Sequence, residues 1–132
     1  MKAEVMDMSD PQQLEEVLTA YYNLYSPDLQ CIDHKTTPEE SHLTDERVIV
    51  VVARNPQGEI VGVIMVDNDY VLFPVLAKPY VPVLRALIQK AYEANGGYLQ
   101  AQTANRLIVR SAVAMGIKGV KSEGDRIWWG VK

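Results

Sequence analysis

The chain has 132 residues, 48% hydrophobic and 23% charged, which is the size and composition of one globular domain over residues 1–132 and excludes a disordered chain. No apolar run approaches the ~20 residues of a membrane span. The opening MKAEVMDMSD is acidic and lacks the apolar stretch of a signal peptide. Cys31 stands alone, so no internal disulfide forms, and a reducing, cytoplasmic setting without membrane contact is expected.

The net charge of −4 hides an asymmetry. Residues 1–77 carry four basic and fourteen acidic side chains, whereas residues 78–132 carry nine basic and three acidic ones. Such a bipolar chain attracts ions of opposite sign to its two halves, or presents complementary faces to a partner or to a second copy of itself. The basic half has no recognisable nucleic-acid motif, and with a pI of about 5.1 a nucleic-acid partner is not expected.

In chain order, Lys2 to Met8 reads as a first strand with Ala3 and Val5 on one side. Ser9-Asp10-Pro11 then opens a helix, with an oxygen-bearing cap followed by a proline whose missing N–H costs nothing there. Leu14, Val17, Leu18, Tyr21 and Tyr25 recur at helical spacing and carry it to about Tyr25. Residues 27–46 are irregular, except that Thr37-Pro38-Glu39-Glu40 predicts a short helix to about Leu43, capped by Thr37 with Glu40 closing the capping box. His34 and His42 lie among carboxylates in this region, but their spacing fits no metal-ligand pattern, so no metal is expected.

Three strands follow. Arg47 to Arg54 holds the run Val-Ile-Val-Val-Val-Ala, the mark of a strand covered on both faces. Glu59 to Val66 comes after a turn at Asn55-Pro56-Gln57-Gly58, and Tyr70 to Leu76 after a turn at Asp67-Asn68-Asp69. Pro74 interrupts the last of these. A proline cannot donate to a ladder, so it belongs at a bulge or where the neighbouring strand has parted.

From about Val81 a helix presents Val83, Leu84, Leu87, Ile88 and Ala91, and Asn95-Gly96-Gly97 ends it. Tyr98 to Gln102 is a strand, and Thr103 caps a helix running to Met115-Gly116. Gly119 to Lys121 and Arg126 to Val131 form a closing hairpin, in which one of Trp128 and Trp129 faces the core and the other is free for a partner. The expected core includes Val50, Val52, Val63, Leu84, Leu87, Ile108 and Met115. The order is β-α-α-β-β-β-α-β-α-β-β. It gives an α+β fold whose mixed sheet is mostly antiparallel, with the strands 70–76 and 98–102 parallel across a right-handed crossover.

This order resembles the GNAT acyl-CoA N-acyltransferases over essentially the whole chain. In that family the fourth strand is bulged and splays from the fifth, and acyl-CoA lies in the V between them; Pro74 falls where the bulge would be. Asn105, Gly116 and Ile117 keep the spacing of the family's last-helix motif. The resemblance implies acetyl-CoA or another acyl-CoA as cofactor, held by Val75, Leu76, Lys78, Tyr80, Arg85, Asn105 and Arg110. It also implies a small amine or a protein amine as acceptor, entering past the acidic 28–46 segment with Glu39, Glu40 and Glu46 as candidate bases. Tyr21, Tyr22 and Tyr25 would line that entrance.

Two departures stand out. The family's Gly-x-Gly/Ala phosphate loop, which presents backbone N–H groups to the diphosphate, is replaced by Ala77-Lys78-Pro79-Tyr80-Val81-Pro82, which has no glycine and two prolines. The tyrosine that protonates the departing thiolate in many members, seven residues after the asparagine, is Ala112. The chain is thus similar also to small phage-encoded proteins of this shape, some of them virion-associated. That likeness implies the alternative of a binding or structural protein without catalysis.

Overall fold

The computed structural model describes residues 1–26, 38–102, 110, 113–117 and 119–130. The segment with Cys31, His34 and Thr37 lies outside the described residues, as does most of the expected last helix, including Asn105, Ile108 and Ala112. The elements are β1 (Lys2–Met6), α1 (Pro11–Leu24), α2 (Glu40–Leu43), β2 (Ile49–Arg54), β3 (Ile60–Asp67), β4 (Tyr70–Leu76), α3 (Tyr80–Ala94), β5 (Tyr98–Gln102), β6 (Lys121–Glu123) and β7 (Arg126–Gly130). The strands form one seven-stranded sheet in the order β1-β2-β3-β4-β5-β7-β6. Every neighbouring pair is antiparallel except β4 and β5, which are parallel as expected.

The sheet is covered on both faces because its central strands are apolar at successive positions. Val51 and Ala53 of β2 pack with Ile64 and Val66 against Val83, Leu84, Leu87, Ile88 and Ala91 of α3. Val50 and Val52 face the other way with Val63 and Met65, against Val17, Ala20 and Tyr21 of α1 and Leu43 of α2. Of the expected core, Val50, Val52, Val63, Leu84 and Leu87 are buried, and Met115 is partly buried against the α3 layer. Trp129 is buried and Trp128 half-buried, so the two tryptophans part as the strand pleat requires.

Local chemistry explains the boundaries. The Asp10 carboxylate accepts from the Gln12 N–H at 3.0 Å and Pro11 fills the first helical position of α1. Asn68 and Asp69 both take positive φ, 48° and 72°, making the two-residue turn that matches the twist of β3 and β4. At the end of α3, Gly97 N–H donates to Tyr92 O at 2.8 Å and Gly96 N–H to Glu93 O at 3.3 Å, with both glycines at positive φ. Gly62 lets α3 lie close to β3, since a Cβ there would run into Val83 and reach 3.0 Å from Leu87 Cδ1.

Three local expectations are corrected. The strand expected to run to Met8 ends at Met6, which is buried under α1. The α2 cap is Glu39 rather than Thr37, and the reciprocal partner is His42, whose Nδ1 accepts from Glu39 N–H at 3.0 Å. The closing hairpin turns at Gly124-Asp125 alone, since Glu123 already pairs with Arg126.

Candidate functional site

Pro74 sits in a bulge. Met65 of β3 faces Leu72 and Val63 faces Val75, so Phe73 and Pro74 together oppose Ile64. Phe73 takes a φ of 51°, and as a result Leu72 and Phe73, although successive, both pack toward the α1 face. On its other side β4 pairs with β5 at Tyr70 and Gln100, the one pair recorded between these strands among the described residues. Past that pair, no further pairing joins residues 71–76 to residues 101–102 among the described residues.

The start of α3 follows β4 after three residues. A helix leaves four N–H groups without intrahelical partners, those of its N-cap and first three residues. Here these residues are Pro79, Tyr80, Val81 and Pro82, so two of the four have no N–H. No side chain caps this end. Lys78 is exposed, and its Nζ lies 5.9 Å from the centroid of the half-buried Tyr80 ring. Arg85 is exposed more than a turn further along α3. Val75 and Leu76 are buried and turn their side chains into opposite cores. Arg110 is exposed.

A second concavity of about 360 Å³ lies between α1 and the start of α2, lined by Leu18, Tyr21, Tyr22, Pro38, Glu39 and Glu40. It brings together two of the three carboxylates singled out from the sequence. Glu46 is exposed in the α2–β2 connection and does not line it. Tyr22 is 78% exposed, whereas Tyr21 is buried, and its hydroxyl has no hydrogen-bond partner among the described residues. Burial pushes the Tyr21 phenol well above its ordinary pKa, so it stays neutral and cannot serve as a base. The lining by Leu18 and Pro38 had no signal in the sequence beyond ordinary helix and cap patterning.

Two contacts hold this groove in place. The His42 ring that caps α2 lies 5.7 Å from the Phe73 ring, seating α2 on the β4 bulge. Arg54 ties α1 to the sheet: its Nε reaches Glu4 Oε1 at 2.7 Å, Nη1 reaches Gly58 O at 2.9 Å, and Nη2 meets Glu16 of α1. The described residues hold no group of three or more His, Cys, Asp or Glu that could bind a metal ion, and no helix among them is long and apolar enough to cross a membrane.

No protein-family model and no curated protein matches the sequence. Solved structures do match the fold. An aminoglycoside 6'-N-acetyltransferase from Enterococcus faecium superposes with a TM-score of 0.56 at 15% identity, covering 99% of this chain and 96% of that one. A spermidine N-acetyltransferase variant from Vibrio cholerae gives 0.58 at 14% identity, over 98% and 95%. A GNAT-family acetyltransferase from Staphylococcus aureus Mu50 gives 0.50 at 13% identity, over 98% and 99%. The chain has the GNAT acyltransferase fold. Within the GNAT fold, the bulge at Phe73-Pro74 lies on the fourth strand, where the resemblance had implied it. At these identities the likeness is one of architecture, and chemistry has to be argued from the side chains.

Proposed function

We propose that the protein is a divergent GNAT-like N-acyltransferase that moves an acyl group from an acyl-CoA to an amine. The observation behind this reading is that β4 and β5 pair at Tyr70 and Gln100 alone among the described residues. On this reading the strands diverge past that pair, and the pantetheine arm of CoA, an extended ligand carrying amides of its own, lies between them. The acidic groove between α1 and α2 suits a cationic acceptor, with Glu39 and Glu40 as counter-charges and candidate bases.

In the reaction the amine nitrogen, once deprotonated, attacks the thioester carbonyl; the C–N bond forms, the nitrogen gives its second proton to a groove carboxylate or to water, the C–S bond breaks, and the sulfur leaves as a thiolate. Ala112 stands where many relatives in fold have a tyrosine, so the thiolate takes its proton from water, and the rate rests on positioning. The test is release of free thiol from acetyl-CoA with an amine panel that includes spermidine and an aminoglycoside. Turnover is expected with at least one amine, and Glu39→Gln/Glu40→Gln should raise the amine KM while leaving the acetyl-CoA KM nearly unchanged. Thiol release no faster than in buffer, at millimolar acetyl-CoA with every amine, counts against the reading.

One observation favours a second reading, a GNAT-shaped binding or structural protein without catalysis, of the phage- or virion-associated kind or a homodimer. It is the loss of two of the four free amide donors at the start of α3. Absence of acetyl-CoA binding at millimolar concentration would favour it.

A further inference from the structure

Beside the Tyr70–Gln100 pair of β4 and β5 stands a small polar assembly that the function above does not use. Asn95 Nδ2 donates to Asp69 Oδ1 at 2.9 Å and to Tyr98 O at 2.7 Å. Both amide hydrogens are thereby engaged, and the reversed amide would set Oδ1 against two oxygens. The main chain of Asp69 takes part as well, its carbonyl accepting from Gln100 N–H at 2.8 Å. Asp69 belongs to the positive-φ turn between β3 and β4, while Asn95 caps the end of α3 and Tyr98 starts β5. The β3–β4 turn thus meets the end of α3 and the start of β5, with Asp69 and Asn95 26 positions apart in the chain, beside the point where β4 and β5 are paired.

The Asp69 carboxylate reaches the C-terminal end of α3 through the Asn95 amide, which ties the turn to the helix end.

We propose that Asp69 and Asn95 are positioning residues that form the pivot of the β4–β5 cleft and set the angle at which the strands diverge. The functional part of this inference rests on the acyltransferase reading. Leverage is the reason the pivot matters. From Tyr70 to Leu76 the strand advances about 20 Å at roughly 3.3 Å per residue. A rotation of about 10° at the pivot thus displaces the far end by about 3.5 Å, more than the length of a hydrogen bond. Loosening the pivot should weaken ligand binding at the far end without touching any residue there.

The test is a mutant cycle read in two ways. Asn95→Asp sets two carboxylates face to face and removes the donor to Tyr98 O. Asp69→Asn keeps an oxygen for Asn95 and is nearly isosteric. The double variant exchanges the two groups, so that an amide at position 69 donates to a carboxylate at position 95. The first readout is amide hydrogen exchange at Gln100, which needs no ligand. Asn95→Asp should speed it about tenfold or more, as expected for losing a charge-assisted hydrogen bond; Asp69→Asn should change it little, and the double variant should recover most of the loss. The second readout is the acetyl-CoA Kd, which should follow the same order. A general destabilisation of α3 would not be rescued by a change at residue 69. Unaltered exchange at Gln100 in Asn95→Asp, or no rescue in the double variant, overturns the pivot. If the wild-type chain fails to bind acetyl-CoA while the exchange pattern holds, the pivot stands and the acyltransferase reading falls.

Discussion

Replacing Pro82 by alanine should strengthen acetyl-CoA binding. Of the four amides that a helix start can offer an anion, Tyr80 and Val81 supply two, while Pro79 and Pro82 supply none. Alanine at position 82 restores the donor of the third helical residue, which points along the axis out of the helix start. A hydrogen bond to a charged group contributes about 1.5–3 kcal/mol, and the exposure of this site places the gain at the lower end, about 1–2 kcal/mol. That corresponds to an affinity gain of about 5- to 30-fold. The cost to stability, through a freer unfolded chain, is about 1 kcal/mol or less, so the variant should remain folded. Calorimetric titration at low and moderate ionic strength is the assay. Binding by the unaltered chain should be weak and should fade with salt, because exposed Lys78 and Arg85 carry it, and Lys78→Ala should weaken it further. The added amide contributes directional bonding, so Pro82→Ala should also be less salt-sensitive. Micromolar, salt-insensitive binding by the unaltered chain, or no gain in the variant, would refute the reasoning, since the diphosphate would then be held elsewhere.

Other expectations concern the frame. Leu87 is fully buried between α3 and the sheet, and Leu87→Ala should cost about 2–5 kcal/mol in urea denaturation; an unchanged midpoint contradicts the packing. Gly62→Ala should destabilise by about 1–3 kcal/mol because its Cβ meets Val83 and Leu87, and Val83→Ala should relieve part of that cost in thermal melts. Asp45 accepts from Arg47 N–H at 2.9 Å and from Arg47 Nη2 at 2.8 Å, and these bonds hold its carboxyl down at about 2. The folded value is depressed, so the stabilising effect is present above the unfolded carboxyl range near 4 and is lost as pH falls toward 2. In an NMR titration Arg47→Ala should bring Asp45 back toward the ordinary range, and an unmoved midpoint would show that the side-chain bonds are not the cause.

Much of the frame was legible because its signals are local. The Val-Ile-Val-Val-Val run announced a strand covered twice, Asp10-Pro11 a helix start, and Asn95-Gly96-Gly97 a helix end. Pro74 marked the bulge because a missing N–H is a fact of composition. What stayed hidden depends on partners distant in the chain. That Met6 is buried follows from where α1 docks. Asp69 and Asn95 looked like turn and cap residues, which they are, and nothing local could reveal that they meet. Glu39, Glu40 and Glu46 were equivalent as carboxylates near a short helix. Only the fold separates Glu39 and Glu40, on the groove, from Glu46 outside it.

An open sheet ordinarily has two edges, here β1 and β6, and exposed edges invite other chains to pair. On the proposed reading, the divergence of β4 from β5 would add a third, partial edge inside the sheet's own width, closed at one end by the Tyr70–Gln100 pair. A gap bounded in that way would take a ligand no thicker than a single extended chain and would not admit a neighbouring protein's sheet, so a strand-like ligand could pair there without the usual risk of sheet-to-sheet aggregation.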